Sequence, residues 1–317
     1  MKNLLRVISI VIIYLNAISP IISQDVLNND TIVYPPDESD PYSSTYGWYL
    51  PVNGTLRILI VFAEIEYDTG TDPDPATNND DWMPHSLPNW ADQILDVNVP
   101  SGTPQGLLTR YYLEASLGEY NVLGDHLLAP NNGGVFKVLR SQLLSNFDFS
   151  ALISEINSQM AGNFVTGHGL NNVSYFDNWT HVSGSPTNPS GKPKITPSTD
   201  NPSRIDHLMI IWRNHFYLQG TGGTYTVYNN ANIVGYPISG VSINGSNGNS
   251  MPINTLRHEY AHSLYGGNNF HAGGGGSHEN YFIPRSGGWS NLGLSGCSLL
   301  TWNGWDRHSK NNQKEVS

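Results

Sequence analysis

Four apolar stretches of strand length recur along the chain. The run LRILIVFAEI at residues 56–65 is rich in β-branched residues and lacks polar alternation, which is typical of a strand buried on both faces. Further strands are predicted for EYNVLGDHLLAP at residues 119–130, RIDHLMIIW at 204–212 and NIVGYPISGVSI at 232–243. These four runs therefore predict a β-sheet that is largely buried.

Between these strands, apolar residues recur at the spacing of an α-helix. LPNWADQILD at residues 87–96 is predicted to form one helix, and residues 103–118 a second one that Gly118 ends. A third helix is predicted within residues 147–162, with Ser150 or Asp148 as its N-cap. Residues 162–202 show no period and are expected to form a long surface excursion. The second helix has one apolar stripe, made of Leu107, Leu108, Tyr111, Tyr112 and Ala115.

The composition narrows the class of protein. Only 13% of the 317 residues are charged, while Gly and Pro number 32 and 20, which is typical of a loop-rich extracellular protein. The net charge of -11 argues against a nucleic-acid partner, because phosphate binding needs clustered Lys and Arg. Cys297 is the only cysteine, so no intramolecular disulfide can form. We expect stability to come from a packed core, assisted by metals.

The first residues have the pattern of an export signal. Lys2 and Arg6 precede an apolar run from Val7 to Leu15, which is shorter than the roughly 20 residues that span a bilayer. We therefore expect a secreted protein without stable membrane insertion. The predicted organisation is a signal peptide at 1–24, an irregular arm, linker or propeptide at 25–50, a folded domain at 51–310 and a polar tail at 311–317.

The strongest chemical signal is an HExxH pattern at residues 258–262. Its surroundings predict a helix, since Ser250 can cap it, Pro252 suits a first turn, and the glycines at 266 and 267 can end it. An apolar stripe of Leu256, Tyr260 and Leu264 would bury one face of this helix.

A metal-binding role follows from the spacing of the motif. Residues four apart project from nearly the same helix face, so His258 and His262 can offer imidazole nitrogens to one ion. Glu259 is rotated about 100° away and is placed to take a proton from a metal-bound water. Zn²⁺ is the expected ion, because it accepts neutral imidazole and brings the pKa of bound water to about 7 when one position stays open.

A catalytic zinc needs a third protein ligand. The two glycines allow the chain to turn sharply after the helix, which makes His271 our first choice, with His278 and Glu279 as alternatives. The remaining histidines, including His207 and His215, are expected to be core or loop residues rather than metal ligands.

The HEYAH helix with its glycine turn is accompanied by LRILIVFAEI, by LTRYYLEASLGEYNVLGD and by GGWSNLGLSG followed by WNGWDR. Together these segments resemble secreted zincin metallopeptidases of the immune inhibitor A type, over roughly Leu56 to Arg307. The resemblance implies an α+β zincin-like fold, with a twisted mixed sheet over an active-site helix, a substrate cleft between them and a smaller C-terminal lobe. It also implies a zinc endopeptidase that acts on proteins or peptides.

The chain departs from related patterns in three places. In the metzincin pattern HExxHxxGxxH, Gly and His would stand where this chain has Tyr265 and Asn268, so the identity of the third ligand stays open. Leu292 stands where relatives often carry a methionine-containing turn beneath the metal, and an apolar exchange of this kind should preserve zinc binding. Relatives typically continue beyond Arg307, so truncation of the chain, with impaired activity, stays an open alternative.

Two further elements of the site are less specified. Tyr281 is our first choice as the donor that stabilises a tetrahedral oxyanion, ahead of Tyr265, His278 and Arg285. The loop at residues 66–84 is a candidate for Ca²⁺, although its spacing does not match an EF-hand and equally fits a solvated loop. Its aspartates are Asp68, Asp72, Asp74, Asp80 and Asp81.

Other reaction classes have less support. The sequence has no GxSxG elbow, and Cys297 has no evident catalytic partner, which disfavours serine and cysteine hydrolases. The main alternative is a non-enzymatic secreted binding or surface protein that retains a zincin scaffold with a structural metal. Glu259 separates the two hypotheses, because a structural site needs no base beside its first ligand.

Overall fold

The computed structural model describes residues 54–67, 82–143, 149–180, 198–214, 222–226, 231–245 and 251–265. The chain divides into two units, Met1–Ser39 and Asp40–Ser317, and all of the described residues belong to the second unit. The expected signal peptide, arm and tail, the five loop aspartates and the C-terminal lobe lie outside the described residues.

Within these ranges, seven strands form one mixed sheet. The strands are β1 (Gly54–Glu66), β2 (Tyr120–His126), β3 (Phe136–Leu139), β4 (Ile205–Trp212), β5 (Gly222–Thr226), β6 (Asn232–Ile233) and β7 (Tyr236–Gly245). β1 pairs in parallel with β2, β3 and β4, and β4 pairs in parallel with β7. β5 and β6 are antiparallel to β7, and the main strand order is β2-β1-β4-β7-β5.

The three described α-helices are α1 (Leu107–Ala115), α2 (Phe149–Met160) and α3 (Ile253–Tyr265). Ile58, Ile60 and Phe62 of β1 share one apolar cluster with α1 and α3. Val61 and Ile65, on the opposite face, share a second cluster with α2. Because helices cover both faces of the sheet, the prediction that residues 56–65 form a strand buried on both faces is confirmed. The described part of the chain is an α+β structure around a mixed sheet.

The helix predicted for residues 87–96 is wrong, since only Ala91–Gln93 form a short 3-10 helix. The backbone groups that would continue a helix bond to other elements instead. The carbonyl of Ile94 accepts from the N–H of Leu108 at 2.8 Å, and the carbonyl of Asp96 accepts from the N–H of Gly124 at 3.0 Å. The apolar spacing reflected burial of Ile94 and its neighbours against α1.

Three smaller expectations also need correction. The strand predicted at 232–243 is a hairpin of β6 and β7, because Val234 and Gly235 have φ values of 52° and 84° and form the tight turn. Ser150 does not precede its helix but lies in the first turn of α2. The described part of the excursion at 162–202 is not all surface, since Val173, Phe176 and Trp179 are buried.

The ends of two helices follow the sequence closely. Gly118, with φ of 88°, lies just beyond α1 and its N–H donates to the carbonyl of Leu113 at 2.7 Å, as expected for a helix stop. Pro252 directly precedes α3 rather than lying inside its first turn, and its carbonyl accepts from the N–H of Leu256 at 3.0 Å. The glycine pair expected to end α3 lies outside the described residues.

Candidate functional site

The whole HExxH motif lies on α3, which confirms the predicted helix. His258 and Glu259 are buried, with 8% and 7% of their surface exposed. His262 follows one helical turn later on the same helix, and its side chain lies outside the described part. The donor set of the motif fits zinc, because two neutral imidazoles four residues apart on a helix can reach one ion.

Packing of Tyr260 sets the rotation of α3 about its axis. Tyr260 is fully buried, and its hydroxyl is 2.7 Å from that of Tyr120, the first residue of β2. Its ring packs edge-on against the rings of Tyr112 and His207, at centroid distances of 5.1 and 5.0 Å. Burial raises the pKa of Tyr260 well above its ordinary value, so the hydroxyl stays neutral.

Rotation about the helix axis then places the motif residues. With Tyr260 against the sheet, Glu259 is turned by about 100° and His258 by about 200° from that direction. Both are nevertheless buried, and α3 contacts β5, β7 and α1. The first imidazole and the neighbouring carboxylate are therefore held inside the protein rather than on an outer helix face.

Several predicted site residues cannot be placed. His271, the expected third ligand, and Tyr281, the expected oxyanion donor, lie outside the described residues. The same holds for their alternatives His278, Glu279 and Arg285. The assignment of the third ligand and of the oxyanion donor stays a prediction.

The structure brings together a second set of potential ligands, Asp92, His126 and His168, which we call the Asp92 group. Each offers one donor atom, and the three atoms lie within 4.8 Å of one another. Asp92 Oδ1 is 3.5 Å from His168 Nε2 and 3.9 Å from His126 Nδ1. This group could hold a metal ion.

Asp125 supports both histidines of the Asp92 group. Its Oδ1 is 3.0 Å from Nδ1 of His168, and its carboxylate accepts the backbone N–H groups of His126 and His168. Burial acts to raise the pKa of Asp125, but hydrogen bonds from Thr166, His168 and the backbone outweigh it, so the pKa is lowered. A charged carboxylate is thus fixed behind the two imidazoles.

The Asp92 group does not include the described side chains of the HExxH motif. The structure describes the side chains of His258 and Glu259, and neither supplies a donor atom to the cluster of Asp92, His126 and His168. His126 is the last residue of β2, whereas His258 and Glu259 lie on α3. The two sets of residues are therefore treated as separate candidate sites.

Sequence reasoning did not single out the Asp92 group. Its members come from the 3-10 helix before α1, the end of β2 and the loop after α2. No regular spacing along the sequence relates these three positions. One available signal was the sequence GHG around His168, where glycines flank a histidine. His207, by contrast, is a buried core residue as expected. Its Nε2 lies 2.9 Å from the hydroxyl of Ser242, and burial lowers its pKa to about 3.

Comparison with known proteins adds no family to this description. No protein-family model and no curated protein matches the chain. The resemblance to zincin metallopeptidases therefore rests on the sequence segments named above. Among the described helices, none has the length and apolar character needed to cross a membrane.

Proposed function

We propose that the protein is a secreted zinc-dependent endopeptidase with a zincin-like fold. The observation that carries this proposal is the HExxH motif on the single helix α3, with His258 and Glu259 both buried. A buried glutamate beside a buried histidine has an obvious use in peptide hydrolysis, whereas a structural metal site would not need it. Export of the protein is proposed from the N-terminal pattern alone.

The proposed roles follow from the HExxH motif and from the residues near it in the sequence. His258 and His262 would hold the zinc, with His271 as the proposed third ligand. When bound, zinc polarises the scissile carbonyl and lowers the pKa of a water molecule. Glu259 accepts the proton of that water and passes it to the leaving amine, and Tyr281 is the proposed donor to the developing oxyanion.

Strand β5 gives a physical reason to expect an extended substrate. It ends the main strand order of the described sheet, where its only described partner is β7, and it contacts α3. A strand edge can pair with an extended peptide through backbone hydrogen bonds. A peptide added beside β5 would run close to the helix that carries Glu259, which supports protein or peptide substrates.

The test is Glu259→Gln, which removes the base and keeps the shape of the side chain. We expect casein hydrolysis to fall by roughly 100-fold or more, because loss of a general base costs about that much. Zinc content measured by mass spectrometry should stay at the wild-type value, since Glu259 is not a ligand. The matched control is Glu114→Gln, an exposed glutamate of α1, which should retain full activity.

Two outcomes would contradict the proposal. Wild-type turnover in Glu259→Gln would remove the assigned mechanism. A zinc-loaded wild-type protein that cleaves no unfolded protein substrate would favour the non-enzymatic binding protein instead.

A further inference from the structure

We propose that Asp92, His126 and His168 form a second metal site, separate from the HExxH motif, that binds a divalent ion of the zinc type. Asp125 is its positioning residue. The site would join three segments of the fold, and it does not depend on peptidase activity.

The donor atoms select the class of ion. The Asp92 group offers two imidazole nitrogens and one carboxylate oxygen. Imidazole suits Zn²⁺ and its transition-metal neighbours, whereas Ca²⁺ and Mg²⁺ prefer all-oxygen surroundings. The set therefore predicts zinc-type binding rather than calcium binding.

The spacing of the donor atoms is close to what such an ion requires. Ligands about 2.05 Å from a tetrahedral zinc lie about 3.3 Å from one another. The distances from Asp92 Oδ1 are 3.5 Å to His168 Nε2 and 3.9 Å to His126 Nδ1. The Asp92 side chain is 70% exposed, so a small rotamer change can shorten both of these distances without disturbing the core, and all three donor atoms lie within 4.8 Å of one another.

Asp125 orients His168 for this role. The side chain of Asp125 is fully buried, and its Oδ1 lies 3.0 Å from Nδ1 of His168. Because a carboxylate oxygen accepts hydrogen bonds, this contact favours the tautomer of His168 with the proton on Nδ1, in which Nε2 presents its lone pair towards Asp92. A carboxylate behind a ligating histidine is a common supporting arrangement in metal sites.

His126 is held in place by the chain that passes over its ring. An added Cβ on Gly167 would lie 2.2 Å from Cε1 and Nε2 of His126, so only glycine allows this approach. Nδ1 of the buried imidazole lies 3.9 Å from Asp92 and 3.7 Å from Asp125, both longer than a hydrogen bond.

The three protein ligands leave the outer side of the site open. Asp92 and His168 are exposed at 70% and 38% of their side-chain surface, whereas His126 is buried. A water molecule can complete the coordination there. The ion would connect the 3-10 helix at Ala91–Gln93, the end of β2 and the loop after α2, in a chain that has no disulfide.

The experiment uses the full chain with Zn²⁺ as the only added ligand. In a background of His258→Gln and His262→Gln, which removes the proposed catalytic ligands, we expect one zinc ion per chain by equilibrium dialysis. Adding Asp92→Asn or His168→Gln should weaken this binding by at least tenfold. Asp125→Asn should weaken it by about 10- to 100-fold, as expected for loss of a supporting carboxylate.

Matched controls separate ligand loss from general damage. Glu119→Gln replaces another exposed carboxylate and His85→Gln another exposed histidine, and both should bind zinc like the background. Zn²⁺ should raise the thermal unfolding midpoint of the background and the controls, but not that of Asp92→Asn, while Ca²⁺ should raise none of them through this site. Circular dichroism spectra verify that each variant is folded.

The outcomes distinguish this site from the proposed peptidase. No zinc binding in the background, or equal binding in the background and in folded Asp92→Asn, would overturn the second site. Stabilisation by Ca²⁺ that Asp92→Asn abolishes would show that the ion class is wrong. None of these results depends on whether Glu259 is a catalytic base, because they are read in protein that lacks the HExxH histidines.

Discussion

At the scale of single residues, burial determines the protonation state of side chains in the core. His207 and Tyr260 both lie in the core, and their rings are in contact. Burial lowers the pKa of His207 and raises that of Tyr260, so both side chains are held neutral. The sequence predicted His207 to be a core or loop residue from its apolar surroundings. The hydroxyl pair of Tyr260 and Tyr120, which are 140 positions apart, could be found only in the fold.

The lowered pKa of His207 predicts how the free energy of unfolding depends on pH. Its pKa is about 3 in the fold, against about 6.5 in the unfolded chain, so the unfolded state binds a proton first as the pH falls. The stabilising contribution is therefore complete above pH 6.5 and is lost as the pH falls towards 3. Between pH 6 and pH 4 the free energy of unfolding should fall by roughly 1 kcal/mol per pH unit from this group.

Replacing His207 by Gln, which keeps a polar partner for Ser242, should remove this part of the pH dependence. Urea unfolding at pH 7 and pH 5 measures it, and the difference between the two pH values should be smaller in the variant. His126 also has a lowered pKa and contributes with the same sign in both proteins. An unchanged pH dependence in His207→Gln would mean that His207 takes up its proton in the fold at ordinary pH.

At the scale of elements, the sequence predicts the buried strands and the residue at which α1 ends. β1, β4, α1 and α3 lie where the pattern predicted them, because their burial is continuous or follows one helical stripe. The segment at 87–96 was predicted wrongly, because its apolar residues have helical spacing but its carbonyls bond to α1 and β2. Local periodicity reports burial, and the partner of each backbone group depends on the neighbouring elements.

The close approach of β2 to β1 predicts that a side chain at position 124 lowers the stability of the fold. An added Cβ there would lie 2.2 Å from the carbonyl oxygen of Ile58 and 2.6 Å from a methyl of Leu95. Gly124→Ala should therefore lower the free energy of unfolding by about 3 kcal/mol or more, as expected for a steric conflict with backbone. Gly102→Ala is the matched control, since a Cβ there meets nothing within 4 Å.

Urea unfolding of both variants provides the measurement. A loss in Gly124→Ala no larger than that in Gly102→Ala would contradict the close approach of β2 to β1. The comparison is direct, because both changes add one methyl group and neither glycine has a positive φ.

At the scale of the whole molecule, the described residues contain two candidate metal sites, one on α3 and one formed by the Asp92 group. With Cys297 as the only cysteine, no disulfide reinforces the fold, so bound ions would supply linkage between distant segments. The proposed catalytic ion on α3 serves chemistry, and the proposed ion of the Asp92 group joins three segments. Removal of metal should then affect stability and activity through different residues.

Chelation tests this separation. Treatment with 1,10-phenanthroline should abolish casein hydrolysis and lower the thermal unfolding midpoint by a few degrees, because an ion bound only by the folded state stabilises it. Added Zn²⁺ should restore both. In Asp92→Asn the chelator should still abolish hydrolysis but shift the midpoint less. An equal shift in the variant and the wild type would assign the stabilising metal to another location.

The sequence by itself determined the apolar strands, the helix that carries HExxH, and the proposed roles of His258, Glu259 and His262. These features depend on residues within one helical turn or one strand, where spacing alone sets the geometry. Only the tertiary structure decided the strand order, the burial of Glu259 and the meeting of Asp92, His126 and His168. These depend on which distant segments pack together, and the packing of a whole sheet leaves no periodic trace in the order of the residues.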